Sequence, residues 1–364
     1  MDTTGGNTSQ QIDFSKLNAA QLGHNYLQKQ NGGEYHLDDL NLLNGYLNYV
    51  LDEKNRDLKK YKVGVMLVCI NQNYWQYMQP VIEDLKKFFL PGHDTEIMVW
   101  TDLPEPTDTE YFAKMETEML AANSSVANAE PQVKANIEAT KENVKMLRNL
   151  GVTFFPVESA PWPYPTLMRY HFFLKEEEYL KKFDYLFYID LDMRIVNVVG
   201  DEILGNGLTM AQHPMYALRQ EFWTPYEPNP KSSAYIKQPG RIIEKDGKKM
   251  FQPLYAAGGV QGGTTETFIP AMEAMKKLID DDFTKNYVAR WNDESHWNRY
   301  LFDHPPAVVL NPSYVYPDSM IQEYYIKLWG RDYPPKIITI TKKDSLSKEG
   351  GAAAQRMMQT LWHI

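Results

Sequence analysis

The chain has 364 residues, 43% of them hydrophobic and 13% aromatic, enough for a sizeable α/β core. A formal charge of −9 and a pI near 5.5 exclude nucleic acid as the main partner and exclude a polybasic membrane patch. The one cysteine, Cys69, excludes an internal disulfide and fits a reducing compartment.

Residues 1 to about 22 are polar and read as a mobile arm. They lack the basic start and apolar stretch of a signal peptide, and no run approaches the ~18–20 apolar residues of a membrane span. The expectation is a soluble, cytoplasmic protein. From Leu37 to Lys60, Leu40, Leu43, Leu47, Val50 and Leu51 recur at helical spacing.

"YKVGVMLVCI" (Tyr61 to Ile70) is almost continuously apolar, as a strand covered on both faces must be. "NYWQYMQPVIEDLKKFF" predicts a helix and "GHDTEIMVWTD" a second strand, which together make a βαβ unit. Residues 103–150 are acidic and Ala-rich and predict one or two surface helices. "GVTFFPVES" is a third strand and "PTLMRYHFFLKEEEYLKK" one helix with a charged outer face.

"FDYLFYIDLDMRI" (Phe183 to Ile195) is a buried strand that ends on two aspartates one residue apart. A buried strand can carry charge only where it leaves the core. Asp190 and Asp192 therefore sit at a carboxyl end, where open α/β sheets bind ligands. The bland reading is a solvated turn. The chemical one is a divalent cation held by two carboxylates, with substrate phosphates and water completing its shell.

Beyond it, "HPMYALRQEFWTPYEPNPKSSAYI" is rich in aromatics and prolines, as binding loops are. "LYAAGGVQGGTTETF" clusters small residues where something must approach the backbone. "TETFIPAMEAMKKLIDDDF" is a helix. "WNDESHWNRY" sets Asp293 and Glu294 between tryptophans. A helix N-terminus explains one acid; aromatic faces beside carboxylates also suit a sugar. "AVVLNPSYVY" is a strand, and the tail "TITKKDSLSKEGG" is basic in patches. Zinc spacing, a Walker lysine and a Gly-x-Ser-x-Gly elbow are all missing from the sequence.

Taken together, "LFYIDLDM", "HPMY", "YEPNPKSSAYI", "YAAGGVQGGT" and "WNDESHWNRYLFDHPPAVVLNPSYVY" resemble glycosyltransferase family 6. That family holds the histo-blood-group A and B transferases and the alpha-1,3-galactosyltransferases, with bacterial and viral relatives. "VGVMLVCINQNYWQYMQPVIEDLKKFFLPGH" is similar to its first βαβ half. The resemblance implies a GT-A fold, an α/β mixed and mostly parallel sheet with a nucleotide-binding half and an acceptor-binding half. It covers about 61–345, with 1–60 an N-terminal extension, 103–148 a helical insertion and 346–364 a C-terminal tail.

The resemblance also implies chemistry: retaining transfer of GalNAc or Gal from a UDP-sugar to a hydroxyl of a galactose-containing glycan in alpha-1,3 linkage. A family member using another UDP-sugar, one mainly hydrolysing its donor, and an inactive glycan-binding module are the alternatives. Asp190 and Asp192, with Leu191 between them, correspond to the motif that holds Mn²⁺, with Mg²⁺ as substitute. Val68, Cys69 and Ile70 correspond to the uridine site. The uracil-stacking tyrosine of the family is Asn73 here, with Tyr74 beside it. Arg169 and Lys342 correspond to diphosphate contacts, and Asp293 to a donor-hydroxyl contact. Glu294 corresponds to the catalytic glutamate, as nucleophile or as stabiliser of an oxocarbenium-like centre. His213, Thr224, Trp291 and Tyr316 line the implied acceptor site together with Glu294, and Asn292 replaces a family histidine. Ala257 and Gly259, flanking Gly258, fall at the positions separating GalNAc from Gal transfer. Both are small, which implies UDP-GalNAc as the preferred donor. Such a member would be of microbial or viral origin.

Overall fold

A computed structural model describes residues 60–126, 129–214, 226–237, 241–245, 248–252, 255–318 and 335–340. The helix expected over 37–60, Thr224 and Lys342 lie outside these residues.

The first half alternates strands and helices. β1 (Lys62–Cys69) is buried from Val63 onward apart from a half-buried Val68, as its unbroken apolar run requires. α1 (Trp75–Phe88) buries Trp75, Met78, Val81, Ile82 and Leu85, a stripe at helical spacing, and returns the chain to β2 (Asp94–Thr101). α2 (Thr109–Ala122) and α3 (Ala129–Arg148) follow, then β3 (Thr153–Pro156). The expected surface helices are therefore real, but they are more than decoration. Phe112, Val133, Ile137, Val144 and Leu147 are buried in the same core as β1 and β2. The Arg148 guanidinium bonds the carbonyls of Leu103 and Pro104 and stacks 4.9 Å from the Phe154 ring.

The single helix expected over 165–182 is three short ones: α4 (Tyr164–Leu167), α5 (Arg169–Lys175) and α6 (Glu177–Leu180). Met168 (φ −98°, ψ 0°) and Glu176 (φ −107°, ψ 23°) leave helical geometry and re-aim each turn. The break at Met168 lets Arg169 and Tyr170 point inward together with Phe172 and Phe173. Periodicity alone does not reveal such a break, because the apolar spacing resumes in phase.

β4 (Tyr185–Ile189) is buried throughout, and β5 (Met193–Ile195) follows the aspartates. β6 (Leu208–Gln212), a hairpin of β7 (Arg241–Lys245) and β8 (Lys248–Gln252), and β9 (Ala256–Thr264) come next. The hairpin carries no signal that the sequence reading recognised. α7 (Thr265–Thr284) and α8 (Asp293–Asp303) lead to β10 (Val308–Leu310), β11 (Tyr316–Pro317) and β12 (Ile337–Thr339).

Seven strands form one sheet in the order β10-β6-β9-β4-β1-β2-β3, with β9 antiparallel to both its neighbours. The other pairings in the sheet are parallel. Two cores flank the sheet, one with α1, α2 and α3, the other with α5, α7 and α8. A small sheet, β11-β12-β5, closes beside the aspartates. Among the described residues no helix is long and apolar enough to cross a membrane.

Candidate active site

β4 delivers the acid pair. Asp190 follows the strand directly, and its N–H bonds the Gly259 carbonyl at 2.9 Å. The pairing of β1 with β4 matches Met66 to Tyr188; two residues further along the same register, Val68 is level with Asp190. The carboxyl ends of β1 and β4 thus share a lip. Val68 is half-buried there and Cys69 and Ile70 are buried. Burial, then the charge of Asp102, pushes the Cys69 thiol well up, so it acts as packing and not as a nucleophile. Asp102 also accepts from the Asn71 N–H at 2.8 Å and from the Trp75 indole at 3.4 Å, which fixes the turn carrying the half-buried Tyr74.

Opposite β4, α5 supplies Arg169. Its Nη1 is 3.5 Å from Asp190 Oδ1 and its Nε is 3.4 Å from Asp293 Oδ2. Its guanidinium lies 4.1 Å from the Tyr188 ring centroid, and the Tyr188 hydroxyl donates to Asp190 Oδ1. Burial works against the charge of Arg169, but Asp293, Tyr188, Asp190 and Tyr170 together outweigh it and the guanidinium is held more firmly protonated than usual. The same burial acts on Asp293. Removal from water raises its pKa to about 6, with Arg169 pulling down and Asp190 pushing up.

Glu294 is held differently. Its Oε1 accepts from the Tyr255 hydroxyl at 2.8 Å and its Oε2 from the Gly258 N–H at 2.8 Å. Burial still prevails over both bonds and raises its pKa to about 7, with Asp293 and Asp190 adding to the rise. Both acids open α8, and the preceding Asn292 takes a left-handed φ of 50°. The His296 ring bonds the Asn292 carbonyl through Nδ1 at 3.0 Å and Asp282 through Nε2 at 3.1 Å, which ties this start to α7.

Small residues bring β9 close. A Cβ on Gly258 would lie 3.1 Å from Glu294 Cβ, and one on Gly259 would lie 2.8 Å from Asp190 Oδ2 and 2.3 Å from Met193 Cε. The space opened by Gly259 is therefore filled by Met193 and Asp190. Ala257 is buried.

Of the expected acceptor residues, His213 adjoins Glu294 through Tyr255. Its N–H bonds the Tyr255 carbonyl at 2.9 Å and its ring packs edge-on to that tyrosine at 5.8 Å. Burial lowers the pKa of the imidazole to about 4, so it is neutral. Trp291 is 41% exposed just before the acids, and its carbonyl accepts from the Glu294 N–H at 3.1 Å. Tyr316 is buried in β11, paired with Ile338 of β12. β12 runs antiparallel to β5, and beyond it the Ile340 N–H bonds the Asp192 carbonyl at 2.9 Å.

The structure thus gathers Asp190, Arg169, Asp293 and Glu294 around the carboxyl end of the central strand β4. It also enlists Tyr188, Tyr255, Tyr170 and Gln261, which sequence reading did not select. Asn298 is another: it bonds both backbone groups of Ala256, at 2.7 and 2.9 Å, and joins α8 to β9.

Among the described residues no group of three or more His, Cys, Asp or Glu side chains could hold a metal ion alone. Two hard carboxylates at the end of a strand fit a cation of the Mg²⁺ or Mn²⁺ kind that completes its shell with phosphate oxygens and water. Asp192 is 8% exposed, while the side chain of Asp190 is 32% exposed.

The family model described as glycosyltransferase family 6 matches residues 153–330. Histo-blood group ABO system transferase 2 of Rattus norvegicus is 33% identical over 272 residues, 74% of this chain and 68% of the relative. Histo-blood group ABO system transferase 1 of the same animal is 36% identical over 147 residues, 40% of this chain and 38% of the relative. Globoside alpha-1,3-N-acetylgalactosaminyltransferase 1 of Canis lupus familiaris is 34% identical over 150 residues, 41% and 39%. In these last two matches the chain spans under two fifths of the relative's length.

Proposed function

Because the chain belongs to glycosyltransferase family 6, whose GT-A architecture its seven-stranded mixed sheet shares, we propose that it transfers GalNAc from UDP-GalNAc to a galactose-containing glycan. The new bond is an alpha-1,3 linkage made with retention. The observation that carries this reading is the cluster of the half-buried Asp190 with the buried Arg169 and Asp293, and Glu294 alongside. A sugar-binding module has no use for a buried cation between acids beside a third carboxylate.

Asp190 and Asp192 would hold the divalent cation. When bound, that cation offsets charge on the departing diphosphate. Val68, Cys69, Ile70 and Tyr74 line the nucleotide end, and Arg169 faces the phosphates. Lys342, two residues past the described Ile340, is proposed as a second phosphate contact. Asp293, fixed by Arg169 and Tyr170, orients donor hydroxyls. Glu294, gripped by Tyr255 and the Gly258 N–H, faces the anomeric carbon as nucleophile or as stabilising charge. His213, Thr224, Trp291 and Tyr316 receive the acceptor.

Donor choice rests on Ala257. The filling of Gly259's space by Met193 and Asp190 removes that position from the argument for a bulky C2 substituent. That observation favours a second reading, in which UDP-Gal is used equally well.

The test is UDP release from a panel of UDP-sugars with a galactose-terminated acceptor, with and without Mn²⁺, followed by linkage analysis. Alpha-1,3 GalNAc product that disappears in excess EDTA is expected. Equal or faster turnover of UDP-Gal removes the donor preference, and full activity in EDTA removes the metal. A Glu294→Gln protein that still transfers overturns the role of that acid.

A further inference from the structure

Gln261 and Tyr170 are wholly buried polar side chains; Gln261 has no part in the proposed reaction, and Tyr170 enters it only as a neighbour of Asp293. Gln261 is on β9 and Tyr170 on α5, 91 residues apart. The Gln261 Nε2 donates to the Gly258 carbonyl at 2.9 Å, and a carbonyl can only accept. That orients the amide and leaves its Oε1 as acceptor for the Tyr170 hydroxyl at 2.8 Å. The same hydroxyl lies 3.4 Å from Asp293 Oδ2. Gly258, for its part, gives its N–H to Glu294 Oε2 at 2.8 Å. Both backbone groups of Gly258 are thus taken by side chains, at a stretch where the ladder between β6 and β9 shifts register.

We infer that Gln261 and Tyr170 are positioning residues that set Asp293 and Glu294 against each other through the Gly258 peptide. The Tyr170 hydroxyl gives its one proton to Gln261 and rests 3.4 Å from Asp293, and Gln261 continues through Gly258 to Glu294, so two adjacent acids on one helix are braced from two other elements. A buried amide costs free energy unless paired, and an apolar residue of similar shape would fill β9 as well. Gln261 earns its place only if the orientation of Gly258 and Tyr170 matters to the acids. This inference rests on the proposed role of Glu294 and extends it.

The test uses the full chain with Gln261→Met, Tyr170→Phe and the double variant. Gln261→Met is expected to lower kcat about tenfold, the worth of one buried hydrogen bond. KM for donor and acceptor should stay within about twofold and Tm within a few degrees. In the Tyr170→Phe background the same change should cost much less, since both act along one line. Hydrogen exchange over 256–263 should quicken in Gln261→Met, because the Gly258 carbonyl loses its donor and the backbone that presents the Gly258 N–H to Glu294 is held less firmly. An unchanged kcat, a loss confined to KM, additive losses or unaltered exchange would each overturn the inference. The exchange readout needs no substrate. If the unsubstituted protein turns over no UDP-sugar, the proposed function falls, while exchange still decides whether Gln261 holds Gly258.

Discussion

Asp293 and Glu294 are neighbours in the chain and differ in what holds them. A guanidinium accompanies Asp293, whereas Glu294 has only a hydroxyl and a peptide N–H, and its pKa rises to about 7. The consequence for stability has a definite sign. An acid whose pKa is higher folded than unfolded favours the fold at low pH. For Glu294 that contribution is fully present below about 4.5 and is lost as pH rises through about 7. At roughly 1.36 kcal/mol per unit, on the order of 3 kcal/mol is lost between those limits. Glu294→Gln should therefore flatten denaturant-measured stability between pH 5 and 8 relative to the parent protein. A curve of the same slope would contradict the burial argument. Asp192→Asn tests the other acid cluster. UDP release should fall roughly a hundredfold, and the Mn²⁺ midpoint should move up. An unaltered Mn²⁺ titration would take Asp192 out of the metal site. Both acid clusters were legible in the sequence, one as charge at the end of a buried run and the other as acids set between tryptophans, and both are local signals. Tyr170, Gln261 and Tyr255 were not, because each is an ordinary core residue until the fold brings it to its partner.

At the scale of elements, the strands and long helices followed from apolar runs and periodicity. β1, β2, α1 and α7 fall within a few residues of where the pattern sets them. The segment 164–180 did not, because its breaks at Met168 and Glu176 are dictated by the sites that its side chains reach. α2 and α3 show the opposite case: their existence was legible and their burial was not. Ile137 is 4% exposed within the main core. Ile137→Ala should cost about 2–5 kcal/mol in urea unfolding, with kcat nearly unaltered because α3 carries none of the site. A cost below about 1 kcal/mol would mean that α2 and α3 are a detachable cover.

At the scale of the whole molecule, a largely buried ion pair joins segments far apart in the chain. Lys336 Nζ lies 2.5 Å from Glu202 Oε1, and the Tyr314 hydroxyl bonds the same oxygen at 2.9 Å. This pair anchors the approach to β12, whose extension reaches the Asp192 carbonyl. Lys336→Met leaves Glu202 buried without its cation, which should cost about 3–5 kcal/mol and raise the Mn²⁺ concentration needed for half-maximal activity. Loss of stability with an unshifted Mn²⁺ midpoint would separate the anchor from the site.

The bond from Ile340 to Asp192 has a bearing on how the protein is made. Ribosomes deliver Asp192 about 150 residues before the segment that backs it. At synthesis rates of roughly 5–20 residues per second, on the order of ten to thirty seconds separate the two. Throughout that interval the nascent polypeptide lacks the bond that backs Asp192. A growing chain would acquire the backing of Asp192 only after residue 340 has been added.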